Sequence, residues 1–350
     1  MAPRAVAIVK LSALGDVFHT LPVIRTLQRT WPATRFTWVI GRTEAKLIGK
    51  IPDIEFIEFD KRAGRAAYSA LHKTLRDRSF DVLLHMQFAW RASLVAAMIK
   101  AEIKLGYDRA RALDLQWMFT THRIAAVPRQ HVMDSLFEFA RSVGVESRTY
   151  CWDVPVPDSA RDYAQRAIPD HVPTLIISPC SSHSVRNWNI AGYAKAGDYA
   201  VRELGLKVLI CGGPTDLELR TGAAIASAMR EPCVNQVGKD TLPEFYAALG
   251  RARVILTPDS GPAHMATALG VPVVGLYAST NPARSGPYFS LDLCCDQFDA
   301  AARRFLGKPA AELPWRTKIA VPGVMDLIDP SEVTRKLAEA LQPRPKLNPV

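Results

Sequence analysis

Residues 253–270 read RVILTPDSGPAHMATALG, and this stretch fixes the fold class more firmly than any other part of the chain. A β-branched run is followed by Pro, Asp, Ser and Gly and then by an apolar segment that ends at a glycine. This order is typical of a strand, a tight turn and a helix. The first N–H groups of a helix lack partners within it and lie at its positive end, so a turn of small residues there admits a phosphate. The stretch therefore predicts an anion-binding helix N-terminus and, as a first hypothesis, a nucleotide-linked substrate.

The same turn also has a purely structural interpretation. In that interpretation Asp259 or Ser260 only caps the helix. Gly261 only relieves backbone strain, and His264 is a half-buried histidine with its own partner. The rest of the chain has to decide between the two interpretations.

Strand-like and helix-like segments alternate along the whole chain, which is typical of an α/β fold with a mainly parallel sheet. The predicted strands are residues 5–10, 35–40, 81–86, 174–178, 207–211, 253–257 and 271–277. The predicted helices are residues 16–30, 43–49, 65–78, 92–100, 190–204, 216–230, 242–249, 265–269 and 331–341, the last capped by Ser331.

The length of 350 residues favours two domains, and four prolines mark a change of texture between residues 155 and 173. We therefore predict two Rossmann-like, doubly wound domains that face a ligand-binding cleft. The predicted boundaries are 1–150 for the first domain, 151–173 for a linker, 174–330 for the second domain and 331–350 for a C-terminal helix and tail. Pro343, Pro345 and Pro349 predict an irregular end to that tail.

The net charge of +10 is unevenly distributed. Residues 1–150 contain 23 Lys and Arg against 14 Asp and Glu, whereas residues 151–350 contain 21 against 20. A basic half-molecule indicates an anionic partner: a nucleic acid, an anionic membrane surface, or a phosphorylated or carboxylated substrate. A solvated basic face is the alternative.

Several function classes lack the motifs that they need. The chain has no G-x-G-x-x-G after the first strand of either domain, no Walker motif and no D-x-D, so we expect no nicotinamide cofactor and no metal held by paired carboxylates. The six cysteines show no C-x-x-C spacing, which favours reduced structural thiols. No apolar run approaches the roughly 20 residues of a membrane-spanning helix, and the N-terminal one is too short for a signal peptide. These absences predict a cytoplasmic protein.

A carboxylate and three polar strand ends supply the candidate chemistry. Asp16 follows Gly15 after the first strand, where it is either a helix N-cap or a proton acceptor. In the second domain the first strand is followed by a loop with hydroxyls and Arg186, groups that a metal-free pyrophosphate site needs. The next strand ends in a glycine turn before Asp216, which either caps its helix or binds a ribose.

Four motifs, in this order, resemble the bacterial ADP-heptose:lipopolysaccharide heptosyltransferases. They are the Gly-Asp of residues 10–22, the basic residue two before a tryptophan in 181–188, the turn at 212–216, and D-S-G-x-x-H at 259–264 followed by Gly-Val-Pro. The match resembles the first heptosyltransferase, which acts on inner-core Kdo, more than the second. It implies a GT-B fold and inverting transfer of heptose from ADP-heptose without a catalytic metal.

The resemblance also implies roles for individual residues. Asp16 would deprotonate the acceptor hydroxyl. The donor would contact Ser181, Ser182, Arg186, Asp216, Asp259, Ser260, Gly261 and His264, with Arg186 in place of the lysine that is common in the family. Because a carboxylate repels a pyrophosphate, we expect Asp259 to bond backbone N–H groups or a sugar hydroxyl, while the N–H groups of Ser260 and Gly261 meet phosphate.

The basic first half is predicted to bind the Kdo-lipid A acceptor, whose carboxylates and phosphates are anionic. The candidate contacts are Arg91, Arg109, Arg111 and His131, of which Arg111 best matches a family arginine. The same face, with Trp90, Trp117 and Phe119 near it, would make peripheral contact with the inner membrane.

Two alternative functions remain open from the sequence. One is another GT-B glycosyltransferase or a sugar-nucleotide epimerase, because a fold fixes neither donor nor acceptor. The other is a non-catalytic protein that binds anionic lipid or nucleic acid, although no nucleic-acid-binding motif is present. The heptosyltransferase hypothesis includes no nucleic acid as a partner.

Overall fold

The structure is a computed structural model that describes residues 2–344. It divides into two compact units, residues 2–155 and 156–344 of the described chain, which we call unit 1 and unit 2. Residues 345–350, where Pro345 and Pro349 predict an irregular end, lie outside the described residues.

Unit 1 contains a six-stranded parallel sheet with helices between its strands. Its strands are β1 (Ala5–Val9), β2 (Arg35–Gly41), β3 (Ile54–Phe59), β4 (Phe80–His85), β5 (Ala101–Gly106) and β6 (His122–Arg123). Its helices are α1 (Leu14–Thr30), α2 (Arg42–Ile48), α3 (Arg65–Leu75), α4 (Trp90–Met98) and α5 (Val132–Ser142).

Unit 2 contains a second six-stranded parallel sheet. Its strands are β7 (Thr174–Ile177), β8 (Lys207–Ile210), β9 (Cys233–Asn235), β10 (Val254–Pro258), β11 (Val273–Tyr277) and β12 (Cys295–Asp296). Its helices are α6 (Asp158–Ala167), α7 (Ile190–Arg202), α8 (Asp216–Ala228), α9 (Leu242–Leu249), α10 (Gly261–Ala268), α11 (Pro282–Ser285), α12 (Phe298–Leu306) and α13 (Pro330–Ala340).

Both sheets have the same doubly wound strand order. In unit 1 the order is β3-β2-β1-β4-β5-β6, and in unit 2, read from the other edge, it is β9-β8-β7-β10-β11-β12. The central strands are continuous apolar runs because helices cover both faces, and every residue of β1, β7, β10 and β11 is buried. The strand order reverses between β1 and β4 in one unit and between β7 and β10 in the other, which is where such folds bind ligands.

All seven predicted strands are present, with ends within two residues of the predicted ones. The sequence predictions omit five strands, which either contain charged residues or are very short. β3 is an edge strand whose glutamates face solvent, and β5 contains two charged side chains. β6, β9 and β12 have only two or three residues each, too few for a periodic signal.

The helices at the two ends of unit 2 differ from the predictions. The predicted linker 151–173 contains α6, whose buried Ala160 and Ala164 share one face that packs toward α9. In α13 the cap is Asp329 rather than Ser331, because Asp329 accepts a hydrogen bond from the Ser331 N–H and Pro330 occupies the first turn.

The six cysteines are all free thiols. Burial raises the pKa of the Cys211 and Cys294 thiols well above the usual value. A thiol with a raised pKa is a poor nucleophile at neutral pH, so these two residues act as small apolar side chains.

Helix α7 provides a test of the packing in unit 2. A Cβ at Gly192 would lie 2.4 Å from Cζ2 of the buried Trp188, whereas one at Gly197 would meet the flexible end of Met229 at 2.7 Å. Helix propensity alone favours alanine over glycine by about 1 kcal/mol. We expect Gly192→Ala to lower the free energy of unfolding by about 1–3 kcal/mol, because a rigid indole ring has to move.

Gly197→Ala is the matched control in the same helix, and we expect it to stay within about 1 kcal/mol of the wild type because Met229 can change rotamer. Urea unfolding followed by tryptophan fluorescence compares the two variants. Equal or greater stability of Gly192→Ala would contradict the packing described for Trp188.

Candidate active site

The loops after β7 and β10 meet at the point where the strand order of unit 2 reverses. The two strands are parallel neighbours, with Ile176 opposite Ile255. The chain leaves β7 towards β8 and returns on the opposite side at β10, so the two loops diverge and leave space at the carboxyl edge of the sheet. Three of the predicted donor residues, Ser181, Ser182 and Arg186, are in the first loop.

An ion pair between Arg186 and Asp259 joins these two loops. Nη1 of Arg186 lies 3.2 Å from Oδ2 of Asp259 and donates to the Asp259 backbone carbonyl at 3.3 Å. The two side chains are only 14% and 10% exposed. Asp259 therefore balances the arginine charge and does not bond backbone N–H groups of its own turn, the first of the two roles that the sequence suggested. A bond to a sugar hydroxyl, the second role, stays a prediction.

The pair lies in a desolvated environment and leaves part of the guanidinium available. Burial raises the pKa of the Tyr277 phenol well above its usual value, and the charge of Asp259 raises it further. The Nε and Nη2 groups of Arg186 form no hydrogen bond with any residue of the described chain. An arginine held on one side by a carboxylate can use its other N–H groups to bind a phosphate.

Helix α10 begins at Gly261, four residues before the predicted start at residue 265. Pro262 is compatible with this earlier start because the first helical turn needs no N–H donor there. Ser260 occupies the N-cap position, but its hydroxyl bonds the Thr257 hydroxyl at 2.9 Å and makes no cap. The part of the structural interpretation in which Asp259 or Ser260 caps the helix through its side chain is therefore wrong. His264 is buried in the first turn of the helix.

The loop after β7 is braced from within. The Ser181 N–H donates to the Asn187 side chain at 2.7 Å, and Trp188 is buried edge-to-face against Tyr193 at 5.2 Å. Ser181 is buried, whereas the side chain of Ser182 is exposed. Asn187 was not predicted, because its partner is six residues away in an irregular loop.

Glu218 rather than Asp216 is fixed against the glycine turn after β8. It accepts from the Gly213 N–H at 2.8 Å and from the Thr215 hydroxyl at 2.6 Å, while Asp216 is exposed. Thr215, not Asp216, is the N-cap of α8 and accepts from the Glu218 N–H. The pattern Thr-x-x-Glu is that of a capping box, which is the signal that could have identified Glu218.

In unit 1 the loop between β1 and α1 holds Asp16 beside a buried lysine. Asp16 is the third residue of α1, and Ala13 is the N-cap, so the alternative that Asp16 is a plain cap is wrong. Nζ of Lys10 donates to Oδ2 of Asp16 at 3.0 Å. Lys10 is 3% exposed and Asp16 is 45% exposed. The buried ammonium therefore contacts one side of the Asp16 carboxylate, and the other side of the carboxylate faces solvent.

Gln87, which follows β4, fixes the backbone of the same loop. Its side-chain oxygen accepts from the Leu11 N–H at 2.6 Å and the Ser12 N–H at 3.3 Å, and its amide donates to the Ser12 hydroxyl. β4 is the neighbour of β1 at the reversal of strand order. Gln87 therefore does in unit 1 what Arg186 does in unit 2, since each bridges the loops of two adjacent strands.

The predicted acceptor residues all follow the carboxyl ends of β4, β5 or β6, the edge of the sheet where Asp16 also lies. Arg91 and Arg109 are exposed. Arg109 lies over the Trp117 ring, 5.5 Å from its centroid, which is a cation–π geometry.

Arg111 and His131 are engaged within unit 1. Arg111 bonds the carboxylate of Asp108 and the side chains of Gln130 and Ser135, the latter two at 2.8 and 2.9 Å. These contacts of Arg111 fix the segment after β5 in place.

His131 is buried, and its Nδ1 accepts from the Met133 N–H at 3.1 Å as the N-cap of α5. Its ring packs edge-to-face on His19, one turn after Asp16 in α1, at 5.5 Å. His131 therefore lies near Asp16, the candidate base, and its hydrogen bond with the Met133 N–H caps α5.

Neither a metal cluster nor a membrane-spanning helix is found in the described part of the chain. No group of three or more His, Cys, Asp or Glu among residues 2–344 could hold a metal ion. No helix among those residues is both long and apolar enough to cross a bilayer.

The sequence matches one protein family and several of its members. The model of the family described as glycosyltransferase family 9 (heptosyltransferase) matches residues 68–315. The lipopolysaccharide core heptosyltransferase OpsX of Haemophilus influenzae is 37% identical over 324 residues, which cover 93% of each chain. Lipopolysaccharide heptosyltransferase 1 of Salmonella typhimurium is 24% identical over 83% of this chain and 93% of that protein.

Solved structures of similar proteins have the same fold. The family 9 glycosyl transferase of Veillonella parvula aligns with a TM-score of 0.77 at 24% identity and covers 97% of both chains. Escherichia coli heptosyltransferase WaaC with ADP aligns with a TM-score of 0.72 at 20% identity, covering 96% of this chain and 99% of that one. The predicted GT-B architecture of two Rossmann-like domains is confirmed.

Loss of either member of the Arg186–Asp259 pair is expected to destabilise unit 2. Asp259→Ala leaves a buried guanidinium without its counter-charge, and we expect a loss of about 3 kcal/mol in the free energy of unfolding. Arg186→Met removes the other charge, and in the double variant the two losses should not add, giving a coupling energy of about 1–3 kcal/mol. Urea unfolding of the four proteins measures that coupling, and purely additive losses would contradict the pair.

A second prediction concerns the pH dependence of stability. Asp240 precedes α9 in a loop that the Gly238 N–H joins to the Gly212 carbonyl at 2.9 Å. Burial, together with a smaller effect of the charge of Glu244, raises the pKa of Asp240 to about 7. Because its folded pKa is above its unfolded value of 3.8, the folded state binds more protons between these values, and stability falls as pH rises through this window.

We therefore expect Asp240→Asn to be more stable than the wild type by an amount that grows from pH 4 to pH 7 and is constant above pH 7. Thermal unfolding of both proteins across this range measures the difference. Glu244→Gln is the control for the smaller contribution of the Glu244 charge to the pKa of Asp240. It should reproduce only part of the pH-dependent gain in stability. A difference independent of pH would show that Asp240 ionises normally.

Proposed function

Because the chain belongs to glycosyltransferase family 9, the heptosyltransferases, we propose that it transfers heptose from ADP-heptose to the Kdo inner core of lipopolysaccharide. The family membership sets aside the alternative of a non-catalytic binding protein. The proposal includes inversion at the anomeric carbon, with Asp16 as general base and no catalytic metal. The observation that carries the donor side is the anchored Arg186 beside the N-terminus of α10.

The donor diphosphate would bind at the reversal of strand order in unit 2. Nε and Nη2 of Arg186 supply charged donors, and the N–H groups of Ser260 and Gly261 lie at the positive end of α10. Together these groups can balance the charge that develops on the leaving ADP without a divalent cation. Ser181, Ser182 and His264 complete the proposed donor contacts.

The ribose would bind near the glycine turn after β8. Asp216 is the predicted partner, and Glu218 is a second one because its carboxylate is already fixed against Gly213. A carboxylate that accepts from ribose hydroxyls is a common feature of nucleotide sites in doubly wound folds. Asp259 supports the site indirectly, by fixing the position of Arg186.

Asp16 would act on the acceptor. The acceptor hydroxyl oxygen forms a bond to C1 of the heptose, the bond from C1 to the phosphate oxygen breaks, and ADP leaves. The carboxylate of Asp16 takes the hydroxyl proton as the new bond forms. Lys10 acts as a positioning residue that keeps one carboxylate oxygen in place at 3.0 Å and leaves the other to the substrate.

The acceptor is proposed to be Kdo-lipid A. Arg91 and Arg109 are exposed cations at the same sheet edge as Asp16, so they can meet Kdo carboxylates and lipid A phosphates. Arg111 and His131 are also proposed as acceptor contacts, and the bonds of Arg111 to Asp108, Gln130 and Ser135 hold the segment that carries Arg109. A lipid-anchored acceptor also implies peripheral contact with the inner face of the inner membrane.

The proposal is tested by incubating the purified protein with ADP-heptose and Kdo-lipid A and measuring ADP release. We expect activity with ADP-heptose, and we expect it to persist in EDTA. Activity with GDP- and UDP-sugars should be much lower. Release of nucleotide from none of the donors would refute the proposal. Release of nucleotide only from a UDP- or GDP-sugar would support a glycosyltransferase but refute heptose as the transferred sugar.

Asp16→Asn separates catalysis from binding. The amide keeps an oxygen for Lys10 but cannot take a proton, so we expect kcat to fall by about 10²–10⁴ with the affinity for ADP-heptose unchanged. Glu58→Gln, a change at an exposed carboxylate of β3, is the control and should leave kcat as it is. Comparable turnover by Asp16→Asn and the wild type would remove Asp16 from the role of base.

A further inference from the structure

A polar cavity of about 270 Å³ lies within unit 1, at the edge of the sheet opposite to Asp16. It is formed by the end of α1, the start of β2, the residue before β3 and the segment 151–153. Because a helix rises about 1.5 Å per residue, Arg29 in the cavity wall is about 20 Å from Asp16 along α1. The cavity is therefore separate from the candidate active site. Its lining includes Arg25, Arg29, Trp31, Asp53, Cys151 and Asp153.

The guanidinium of Arg25 is fixed on one side only. Nη1 donates to the Gln28 side-chain oxygen at 3.0 Å and to the Pro52 carbonyl at 3.4 Å. Nε is buried with no hydrogen-bond partner in the described chain, and Nη2 comes no closer than 3.8 Å to the Asp153 carboxylate. Nε and Nη2 form the edge through which a guanidinium binds a carboxylate or phosphate by two parallel hydrogen bonds. Since a buried donor without a partner is costly, Arg25 favours an anionic group in the cavity.

Arg29 and Trp31 add a second charge and a ring to the same wall. Arg29 lies one turn after Arg25 on the same face of α1 and is exposed. Its side chain forms no hydrogen bond or ion pair with any of residues 2–344. Trp31 follows the last residue of α1 and is half-buried. Two arginines beside an indole ring fit an anionic group that is attached to a ring, because the C–H face of that ring can pack on the indole.

Two aspartates on the cavity wall make a simple anion a poor match. Asp53 and Asp153 are exposed and have left-handed backbone angles, with φ of 63° and 41°. Such angles in residues other than glycine are uncommon and occur most often at functional sites. The Cys151 thiol donates to Oδ2 of Asp153 at 2.7 Å and so orients that carboxylate. Two carboxylates repel an anion but accept hydrogen bonds from hydroxyl groups.

The lining as a whole selects a ring that carries both hydroxyl groups and one anionic group. A neutral sugar has the hydroxyls and the ring but offers the arginines no anion. A simple carboxylate such as acetate has the anion but offers the aspartates no hydroxyl. The volume of about 270 Å³ is below the roughly 300–1,000 Å³ of sites for drug-sized ligands, so it suits one sugar ring better than a nucleotide.

We propose that this cavity binds an acidic monosaccharide, a single sugar ring that carries a carboxylate. In this site the carboxylate bonds Arg25 and Arg29, hydroxyl groups donate to Asp53 and Asp153, and the ring packs on Trp31. The site goes beyond the proposed function, because it lies at the opposite edge of the sheet from Asp16. Only the choice of probe rests on the proposed function, in which the sugar acid Kdo belongs to the acceptor.

The test titrates the full chain, labelled with 5-fluorotryptophan, with free Kdo and follows the fluorine NMR spectrum. The resonance of Trp31 is identified as the one that is missing from Trp31→Phe. We expect this resonance to shift with Kdo until the site is saturated. In Arg29→Gln the dissociation constant for that shift should rise at least about tenfold, since a charged hydrogen bond is lost. The variant should fold normally, because Arg29 is exposed.

Arg76→Gln is the matched control. Arg76 is an arginine of unit 1 at the end of α3, with a side chain that is 62% exposed, and it does not line the cavity. This variant should bind Kdo as the wild type does. Acetate, and methyl mannoside as a neutral sugar, should each shift the Trp31 resonance with a dissociation constant at least about tenfold higher than that of Kdo, because each lacks one part of the ligand.

A Trp31 resonance that Kdo does not shift, or equal dissociation constants for Arg29→Gln and the wild type, would overturn the proposal. Binding of acetate or methyl mannoside as tight as that of Kdo would overturn the acidic sugar as the ligand. Shifts confined to Trp90 and Trp117 would assign Kdo to the proposed acceptor site alone and overturn the proposal as well. Failure of the wild type to release ADP from ADP-heptose would instead contradict heptose transfer, whatever the Trp31 resonance shows.

Discussion

The ion pair between Arg186 and Asp259 is the contact on which the organisation of unit 2 depends. It joins the loops of β7 and β10, which lie side by side because the strand order reverses between them. A buried pair contributes little net stability compared with apolar packing, but each member needs the other. The pair therefore serves position more than stability, since Asp259 fixes a guanidinium whose remaining N–H groups can face an anion. In the proposed mechanism, a carboxylate thus supports a phosphate site without touching the phosphate.

Unit 1 has the same strand order, but it carries the carboxylate of Asp16 where unit 2 carries the guanidinium of Arg186. At the reversal between β1 and β4, Gln87 holds the backbone of the β1 loop and Lys10 holds the carboxylate of Asp16. A buried cation there supports an exposed acid, whereas in unit 2 a buried acid supports a cation. Transfer of a sugar from a nucleotide needs both groups, an acid–base residue for the acceptor and a cation for the leaving diphosphate. In the proposed function, two units with one topology thus supply complementary chemistry.

Local sequence signals predicted the buried strands and the position of Asp16, because continuous apolar runs and a Gly-Asp turn act over a few residues. The same signals could not predict Gln87, whose partners in the β1 loop are 75 and 76 residues away, or the pairing of Arg186 with Asp259 across 73 residues. Such contacts depend on which strands become neighbours. Glu218 was within reach of sequence reasoning, since Thr215 lies three residues before it in a capping pattern.

Analysis of the reaction product tests the central claim most directly. The purified protein is incubated with ADP-heptose and a deacylated Kdo acceptor, and the product is examined by mass spectrometry and by NMR at the new anomeric carbon. Heptose transfer predicts an acceptor heavier by one heptose, in the anomeric configuration opposite to that of the donor, for each ADP released. Release of ADP with no gain in acceptor mass would show hydrolysis, and a retained configuration would exclude direct displacement with Asp16 as base. Either result would contradict the account.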